Sequence, residues 1–344
     1  MLNNKPKITV VISTYNRPDV LSVAIKSVLL QTFSNWKILV IADNCDQETK
    51  KVITSFTDDR IEYINLPYRV GEQSGPNSVG IELAKTEYLA FMNQDDAWID
   101  DHLEYAIETL EKTKSDFFIG KCGFASHSKN TDGNLKKPIF DLVSPYNRTA
   151  DMSFDKQNKL FESASSWVIK TSHAKRIGYW KQAREIHRSP MQNWVTRAWR
   201  KNTKFVFGDK ITILKMDTHL NIKNKSHYSV KSLEHIYLLD LLEKQNNDSL
   251  RKFVEKSLEH NKISFPSDMF YKKTSHKVLG KILFNQFTKS LFKYTGLDSY
   301  EIFFTLMLFK KGKNMNIASL NRIRKPLPEK VDIKMIINAV KFKK

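Results

Sequence analysis

Short apolar runs alternate with amphipathic stretches over the first third of the chain, and each apolar run stops at a polar step. The runs are rich in β-branched residues, which is typical of strands buried on both faces of a parallel sheet. Four runs have this character: residues 8–12, 36–42, 61–65 and 88–92. Apolar positions at helical spacing follow the runs. This order predicts an α/β, Rossmann-like, doubly wound and mostly parallel sheet.

Four polar loops follow the predicted strands, at residues 14–17, 43–46, 69–77 and 93–96. The carboxyl ends of parallel strands meet at one edge of a sheet, where ligands bind in open α/β folds. We therefore expect the four loops to form one crevice. The loop from Arg69 to about Gly80 carries glycines and is expected to lead into a helix that ends near Lys85.

The fourth loop, Asn93-Gln94-Asp95-Asp96, places two adjacent carboxylates at the end of a strand. Oxygen ligands on a short turn suit a hard divalent cation that bridges to phosphates. The alternative is a solvated acidic turn before an amphipathic segment that begins at Trp98 and Ile99. On this pair alone the two interpretations stay open.

Four motifs in order resemble the nucleotide-binding half of a family 2 glycosyltransferase with the GT-A fold. They are VVISTYNRP, SVLLQTFSNWKILVIADNCDQ, the glycine-bearing loop and YLAFMNQDDAWIDDHLE. The resemblance is close over about residues 7–120 and continues loosely to about 216. It implies transfer of a sugar from a nucleotide-diphosphate sugar, with UDP favoured, to a glycan or lipid-linked glycan in surface polysaccharide synthesis such as lipopolysaccharide or capsule. It also implies an inverting reaction and Mn²⁺ or Mg²⁺ as cofactor.

The resemblance assigns roles to individual residues. Asp43 would receive a base N–H, Arg69 would line the base pocket, and the DXD-type motif falls on Asn93-Gln94-Asp95. The whole nucleotide-binding set is Thr14, Tyr15, Asn16, Arg17, Asp43, Arg69, Asn77, Asn93 and Gln94. Asp95 is the expected metal ligand, Asp96 its neighbour or second ligand, and His219 a third ligand taken from a later loop.

Amides replace charged residues of the family pattern at three positions, Asn44, Asn77 and Asn93. An amide still bonds to a ribose or a base edge, so nucleotide binding is retained as an expectation. Metal affinity is expected to be lower than in relatives, because Asn93 stands where the motif has its first carboxylate.

The family's catalytic carboxylate falls on Gln192-Asn193, and neither side chain accepts a proton at neutral pH. Three explanations stay open. His187 or Glu185 acts as the base from the preceding loop, or the acceptor nucleophile is already anionic, or activity is lost. The first would make His187, Glu185 and Asn193 the residues around the reacting hydroxyl.

The second half of the chain shows a looser pattern. We expect a polar loop at 123–138, a strand at 165–170, helices after Thr171 and Ser189, and a last strand at 210–216. Residues 1–228 would form the GT-A domain, with a nucleotide half at about 7–120 and an acceptor half at about 121–228. Helical periodicity from Ser232 onward makes 229–344 a basic helical region.

Net charge is +19, and the excess lies mostly at the end of the chain, where residues 251–344 hold 21 Lys and Arg against 7 Asp and Glu. Lysines there alternate with Leu, Ile and Phe at helical period, which suits an anionic membrane surface or packing on the catalytic domain. A nucleic-acid partner is not expected, because the aromatic residues keep helical period and form no stacking platform. A non-catalytic glycan- or nucleotide-sugar-binding protein is the competing function.

The cysteines Cys45 and Cys122 are far apart in sequence and lack a nearby His-Cys cluster, so we expect neither a disulfide nor a zinc site. The N-terminal stretch MLNNKPKITVV has no secretory pattern, and the apolar stretches are shorter than a membrane span. A cytoplasmic protein, peripheral at the inner face of the membrane, is the expected location.

Overall fold

A computed structural model describes most of the first half of the chain and separate stretches of the second. The described residues are 5–126, 138–144, 163–186, 189–216, 233–244, 247–261, 286–295, 302, 306 and 331–342. His187, His219 and the predicted helical sequence EIFFTLMLFKKGK, apart from residues 302 and 306, lie outside them.

Nine strands of the described chain form one sheet, in the order β3-β2-β1-β4-β8-β6-β9-β5, with β7 paired to β6. The strands are β1 (Ile8–Thr14), β2 (Trp36–Ala42), β3 (Ile61–Asn65), β4 (Tyr88–Asn93), β5 (Asp96–Trp98), β6 (Phe117–Ser126), β7 (Ile139–Ser144), β8 (Trp167–Lys170) and β9 (Phe205–Met216).

Helices connect the strands and continue after the last one. They are α1 (Pro18–Leu29), α2 (Gln47–Thr54), α3 (Ser74–Leu83), α4 (His102–Thr113), α5 (Thr171–Ile177), α6 (Pro190–Arg200), α7 (Leu233–Lys244), α8 (Asn247–Asn261), α9 (Gln286–Thr295) and α10 (Ile333–Phe342). Two single 3₁₀ turns occur at Ala164–Ser166 and Ala183–Glu185.

The first four strands are parallel, as their apolar sequences predict. Strand β1 lies between β2 and β4, with Thr14 beside Ala42 and Ser13 beside Asn93. The strand ends are therefore level, and the polar loops that follow them emerge at one edge. The predicted doubly wound α/β sheet is confirmed.

The other half of the sheet is mixed. Strand β8 is antiparallel to both β4 and β6, whereas β9 runs parallel to β6 along almost its whole length. The short strand β5 pairs antiparallel with the end of β9. Because β5 directly follows the Asn93–Asp96 loop, strand β9 reaches the same edge as the crevice.

The interpretation of Trp98 and Ile99 as the opening of an amphipathic segment is wrong. Residues Asp96–Trp98 form β5, and the helix begins only at His102. Trp98 pairs with Ile213 on β9, and Trp98 and Ile99 are both buried. A distant strand therefore takes these residues into the sheet and overrides the local helical spacing.

The glycine-bearing loop is also shorter than expected, because α3 already begins at Ser74. A Cβ atom on Gly75 would lie 2.5 Å from Val70, and one on Gly80 would lie 2.4 Å from Val11. These glycines allow the helix to lie directly on the loop and on β1. They mark close approach of the backbone rather than a loop.

Two further boundaries differ from expectation. Residues 123–126, expected in a polar loop, belong to β6, and the last strand begins at 205 rather than 210. Both extensions come from the long β6–β9 pairing. Pairing across the sheet extends β6 and β9 over residues whose local sequence predicts a turn.

Helices cover both faces of the sheet. One buried cluster joins β1, β2 and β4 to α3, α5, α6 and α10, and a second cluster joins the same strands to α1, α2 and α4. A third cluster brings Leu238 and Leu242 of α7 and Val254 of α8 onto Val23 and Ala97. Described contacts thus cross the boundary expected at 228, which stays a prediction. None of the described helices combines the length and apolar composition needed to span a bilayer.

Candidate functional site

Hydrogen bonds between the strand-end loops build the crevice at the carboxyl edge. Gln94 Oε1 accepts from Thr14 Oγ1 at 2.7 Å and from the Tyr15 backbone N–H at 2.8 Å. The loop after β1 is joined to the loop after β2 as well, because Asn16 Oδ1 accepts from the Asp46 backbone N–H at 3.0 Å. The predicted convergence of these loops is therefore present.

Asp43 holds the loop that follows β3. Its side chain is 3% exposed, and its two oxygens accept from the backbone N–H groups of Val70 and Gly71, both at 2.7 Å. Burial raises the pKa of the Asp43 carboxyl, opposed by these two bonds and by the charge of Arg69. Each carboxylate oxygen has a second lone pair, so Asp43 can shape the loop and still accept from a ligand.

Tyr15 and Arg69 form a stacked pair beside Asp43. The guanidinium carbon of Arg69 lies 4.2 Å from the centre of the Tyr15 ring. Tyr15 is half-buried and Arg69 is exposed. A planar cation on an aromatic face is a surface on which a nucleobase can stack.

Asn77 and Arg17 lie deeper than the sequence suggests. Asn77 is buried inside α3, and its Oδ1 has no hydrogen-bond partner among the described residues. Arg17 directly precedes α1 and is buried, with Nε 3.4 Å from Asp19 Oδ1. Arg17 is therefore a buried cation that acts electrostatically on Asp95.

Asp96 sits at the other end of the crevice, and donors reach both of its oxygens. Its side chain is fully buried, and it lies directly opposite Lys215 in the β5–β9 pairing. The donors are Asn93 Nδ2 (2.9 Å), Ser163 Oγ (2.8 Å) and Ser165 Oγ (2.5 Å) to Oδ2, and Lys215 Nζ (3.0 Å) to Oδ1. This arrangement suits a carboxylate that positions the loop better than one that binds a metal.

Asp95 is surrounded by basic groups. Burial raises the pKa of the Asp95 carboxyl, but the charges of Lys215 and Arg17 oppose burial, and the pKa is lowered overall. His235 lies on α7 and is buried, with Nε2 2.9 Å from the Asp95 backbone carbonyl, to which it donates. Burial lowers the pKa of His235, which favours the neutral ring.

The acceptor side joins the crevice through Glu72. This carboxylate accepts from the Ala183 backbone N–H at 2.9 Å, and burial raises its pKa. Glu185, two residues on, is exposed and caps its own 3₁₀ turn through the Gln182 backbone N–H at 3.2 Å. On α6, Asn193 Oδ1 accepts from Arg197 Nε at 3.1 Å.

The sequence comparison decides the family. Residues 9–178 match the family model described as Glycosyl transferase family 2. The chain carries a family 2 glycosyltransferase domain. The match covers β1 to the end of α5 and so contains every loop of the crevice.

Relatives of this domain act in bacterial surface-glycan synthesis. The chain is 31% identical over 113 residues to UDP-Glc:alpha-D-GlcNAc-diphosphoundecaprenol beta-1,3-glucosyltransferase WfgD of Escherichia coli, covering 33% of this chain and 44% of that protein. It is 26% identical over 246 residues to GalNAc(5)-diNAcBac-PP-undecaprenol beta-1,3-glucosyltransferase of Campylobacter jejuni, covering 65% and 78%. The match therefore spans less than half of the first relative.

The fold is that of the GT-A glycosyltransferases. The crystal structure of S. aureus TarS 1-349 in complex with UDP-GlcNAc superposes with a TM-score of 0.52 at 15% identity, covering 89% of this chain and 92% of that one. At this identity the likeness concerns the fold alone. The GT-A expectation is confirmed.

GT-A glycosyltransferases generally use divalent metal ions, yet the residues described here do not fit such an ion. Among them there is no group of three or more His, Cys, Asp or Glu side chains that could hold one. Donors already reach both oxygens of Asp96, and Asp95 faces Lys215 and Arg17. The metal roles of Asp95 and Asp96 stay predictions, and His219 lies outside the described part.

Sequence reasoning missed five residues of this site: Glu72, Ser163, Ser165, Lys215 and His235. Lys215 and His235 come from β9 and α7, far along the chain from the loop they contact. The apolar, β-branched sequence around Lys215 does predict a strand, but it does not show which residue Lys215 opposes. Only the three-dimensional pairing reveals the ion pair.

Proposed function

We propose that the protein transfers a sugar from a UDP-sugar to a lipid-linked glycan acceptor, with inversion, in the synthesis of a surface polysaccharide. The observation that carries the proposal is the single crevice in which Tyr15, Arg69 and Asp43 lie at one end and Arg17, Asp95 and Lys215 at the other. The first end suits an aromatic base. The cations of the second end, Arg17 and Lys215, suit a diphosphate.

The names of the sequence relatives support the same substrates. WfgD is named for UDP-Glc and a diphosphoundecaprenol-linked acceptor. The family favours an enzyme over a non-catalytic binding protein. We propose that this chain also uses UDP as the sugar carrier and a lipid-linked glycan as the acceptor, and we assign no particular sugar.

Calorimetric titration with UDP, GDP, CDP and TDP tests the donor site. We expect UDP to bind tightest, and Asp43→Asn to weaken UDP binding by about tenfold or more, as expected for loss of a charged acceptor. Asp58→Asn, an acid on the turn before β3, is the matched control. Equal affinity for all four nucleotides, or an unaffected Asp43→Asn, contradicts the proposal.

For the base we propose that the loop before α6 supplies it, with Glu185 and His187 as the candidates. Glu72 supports this, because its bond to Ala183 joins that loop to the crevice. Glu185→Gln should lower kcat by a factor of about 10²–10⁴ and leave the UDP affinity unchanged. If Glu185→Gln keeps full activity, the same assay on His187→Ala decides whether the loop supplies a base at all.

We also propose that α9 contacts an anionic membrane at the inner face. Phe287 and Tyr294 are 79% and 80% exposed, and with Leu291 they recur at helical spacing in a lysine-rich sequence. Changing all three to serine should reduce sedimentation with anionic vesicles, and added salt should reduce sedimentation of the parent. Unchanged sedimentation of the triple variant removes this contact.

A further inference from the structure

The lysine opposite Asp96 is half-buried beside the loop to which the family resemblance assigns a metal ion. Lys215 is 17% exposed at its side chain and lies on β9 with Nζ 3.0 Å from Asp96 Oδ1. Asp95, on the same loop, is close enough to interact with it electrostatically. One ammonium group therefore interacts with two neighbouring carboxylates.

Two cationic side chains lie at this loop. The Lys215 ammonium donates to Asp96 Oδ1. Arg17 adds a second buried cation beside Asp95. The two cations offset the charge of the two carboxylates, so the loop lacks the net negative charge that attracts a divalent ion, while each cation still offers N–H donors to a phosphate oxygen.

The remaining hydrogen-bond donors make the same point about Asp96. Asn93 supplies an amide N–H, and Ser163 and Ser165 supply hydroxyls, all to Oδ2. Asn93 also holds Ser163 through a 2.9 Å bond. A metal at Asp96 would have to displace these donors and lie next to an ammonium group, so both geometry and charge oppose it.

We propose that Lys215, together with Arg17, supplies the positive charge for the donor's diphosphate, so that nucleotide binding at this crevice needs no divalent cation. The nucleotide part of this inference rests on the proposed function. An ammonium group provides three N–H donors and serves as a point charge for phosphate oxygens. Asp95 and Asp96 then orient the lysine rather than a metal.

Two titrations on the full chain test the inference. The first adds Mn²⁺ alone and follows its binding by electron paramagnetic resonance, with no nucleotide present. We expect no saturable binding to the parent and a gain of binding in Lys215→Met, because two carboxylates then face one cation. Lys210→Met is the matched control, since Lys210 lies on the same strand and pairs with Asp101 at the surface.

The second titration measures UDP affinity by calorimetry, in a chelator and in excess Mn²⁺. The parent should bind equally well in both, and Lys215→Met should lose about tenfold or more of its affinity in the chelator. Lys215→Arg should keep metal-independent binding. Should Lys215→Met fail to fold, Lys215→Met/Asp96→Asn removes both charges together and should show the same loss in the chelator.

Saturable Mn²⁺ binding by the parent, or UDP binding only when Mn²⁺ is present, overturns the inference. Undiminished UDP binding by the folded lysine variants in the chelator overturns it as well. If the parent binds no nucleotide in either buffer, the proposed donor site fails, together with the nucleotide part of this inference. The Mn²⁺ titration still decides whether the loop accepts a metal.

Discussion

The two ends of the crevice each contain a buried carboxylate, Asp43 directly after β2 and Asp96 at the start of β5, and they hold it in different ways. Asp43 accepts from two backbone N–H groups 27 and 28 residues further along the chain. Asp96 accepts from Ser163, Ser165 and Lys215, which lie 67, 69 and 119 residues further along. The same residue type therefore depends on neutral backbone donors at one end, and on a distant cation together with neutral side-chain donors at the other.

This difference separates the two functions that we propose for the crevice. Residues of β1 to β3 and their loops build the proposed nucleotide end, which lies within the first 77 residues or so. Strand β9 and helix α7 bring Lys215 and His235 to the proposed diphosphate end. A change in β9 should therefore alter the charge at the proposed diphosphate end without changing the proposed base pocket.

The largest expected effect is that of Asp96→Ala, which removes the fully buried carboxylate that accepts from Lys215, Ser163 and Ser165. Breaking a buried ion pair on one side costs about 3–5 kcal/mol of unfolding free energy. Asp43→Ala removes two bonds from neutral donors to a charged acceptor, and its cost is expected to be smaller, about 1.5–3 kcal/mol. Urea denaturation measures both.

Glu111→Ala is the control for this pair of variants, because Glu111 forms an ion pair with Lys7 at the surface. Its expected cost is about 0–1 kcal/mol. A cost for Asp96→Ala as small as that of Glu111→Ala would show that the distant ion pair does not hold the diphosphate end.

Sequence alone predicts the nucleotide end because its interactions follow from strand order. A buried parallel strand ends in a polar loop, adjacent strand ends lie level, and Asp43 with Tyr15 and Arg69 falls at one edge. The fold class and the convergence of the loops follow from the same reasoning. These features need no knowledge of which distant residues meet.

The diphosphate end could not be predicted in this way. Lys215 opposes Asp96 only because residues Asp96–Trp98 form β5, which pairs with β9, in place of the expected start of an amphipathic segment. Nothing within a few residues of Trp98 indicates that pairing, and the helical spacing from Trp98 onward argues against it. Burying Asp96 is costly unless a partner offsets its charge, and that partner, Lys215, comes from a distant strand. Local sequence patterns do not show such a partner.

The pH dependence of stability should also differ between the two ends. His102 lies behind β5, with Nδ1 2.9 Å from Thr212 Oγ1, and burial lowers its pKa to about 3. The ring stays neutral in the folded protein, but it becomes charged near pH 6.5 in the unfolded chain. The folded protein therefore loses stability as the pH falls from 6.5 towards 3. The loss is about 1.4 kcal/mol for each pH unit below 6.5 until the folded pKa is reached.

Chemical denaturation of the parent and His102→Gln between pH 7 and 4 measures this loss. We expect a flatter profile for the variant, since its amide does not titrate. Asp43 and Glu72 act in the opposite direction, because a raised carboxyl pKa favours the fold as pH falls towards it. Parallel profiles for parent and His102→Gln would exclude His102 as the source of acid sensitivity.

Gln94 connects the two ends, and its removal should have a moderate effect. Gln94→Ala loses the bonds to Thr14 and Tyr15, worth about 1 kcal/mol each in stability. We expect UDP affinity to fall as well, because the loop after β1 is no longer fixed. Gln73→Ala is the control, since the side chain of Gln73 makes no cap hydrogen bond at the start of α3. Equal effects of the two variants would show that Gln94 does not join the ends.

The smallest expected effect concerns the stacked pair of Tyr15 and Arg69 at the nucleotide end. The pair is partly exposed, so its cation–π attraction should contribute only about 0.5–1 kcal/mol, and a base stacked on it should gain a similar amount.

A double-mutant cycle with Tyr15→Leu and Arg69→Gln, measured as UDP affinity, isolates this coupling. We expect each single change to weaken UDP binding a few-fold and the double change to cost less than their sum, because either change already disrupts the pair. Unfolding free energy should fall by no more than the contribution of the pair, about 0.5–1 kcal/mol. Strict additivity of the two changes would mean that Tyr15 and Arg69 contact the nucleotide independently, and the base would then rest on only one of them.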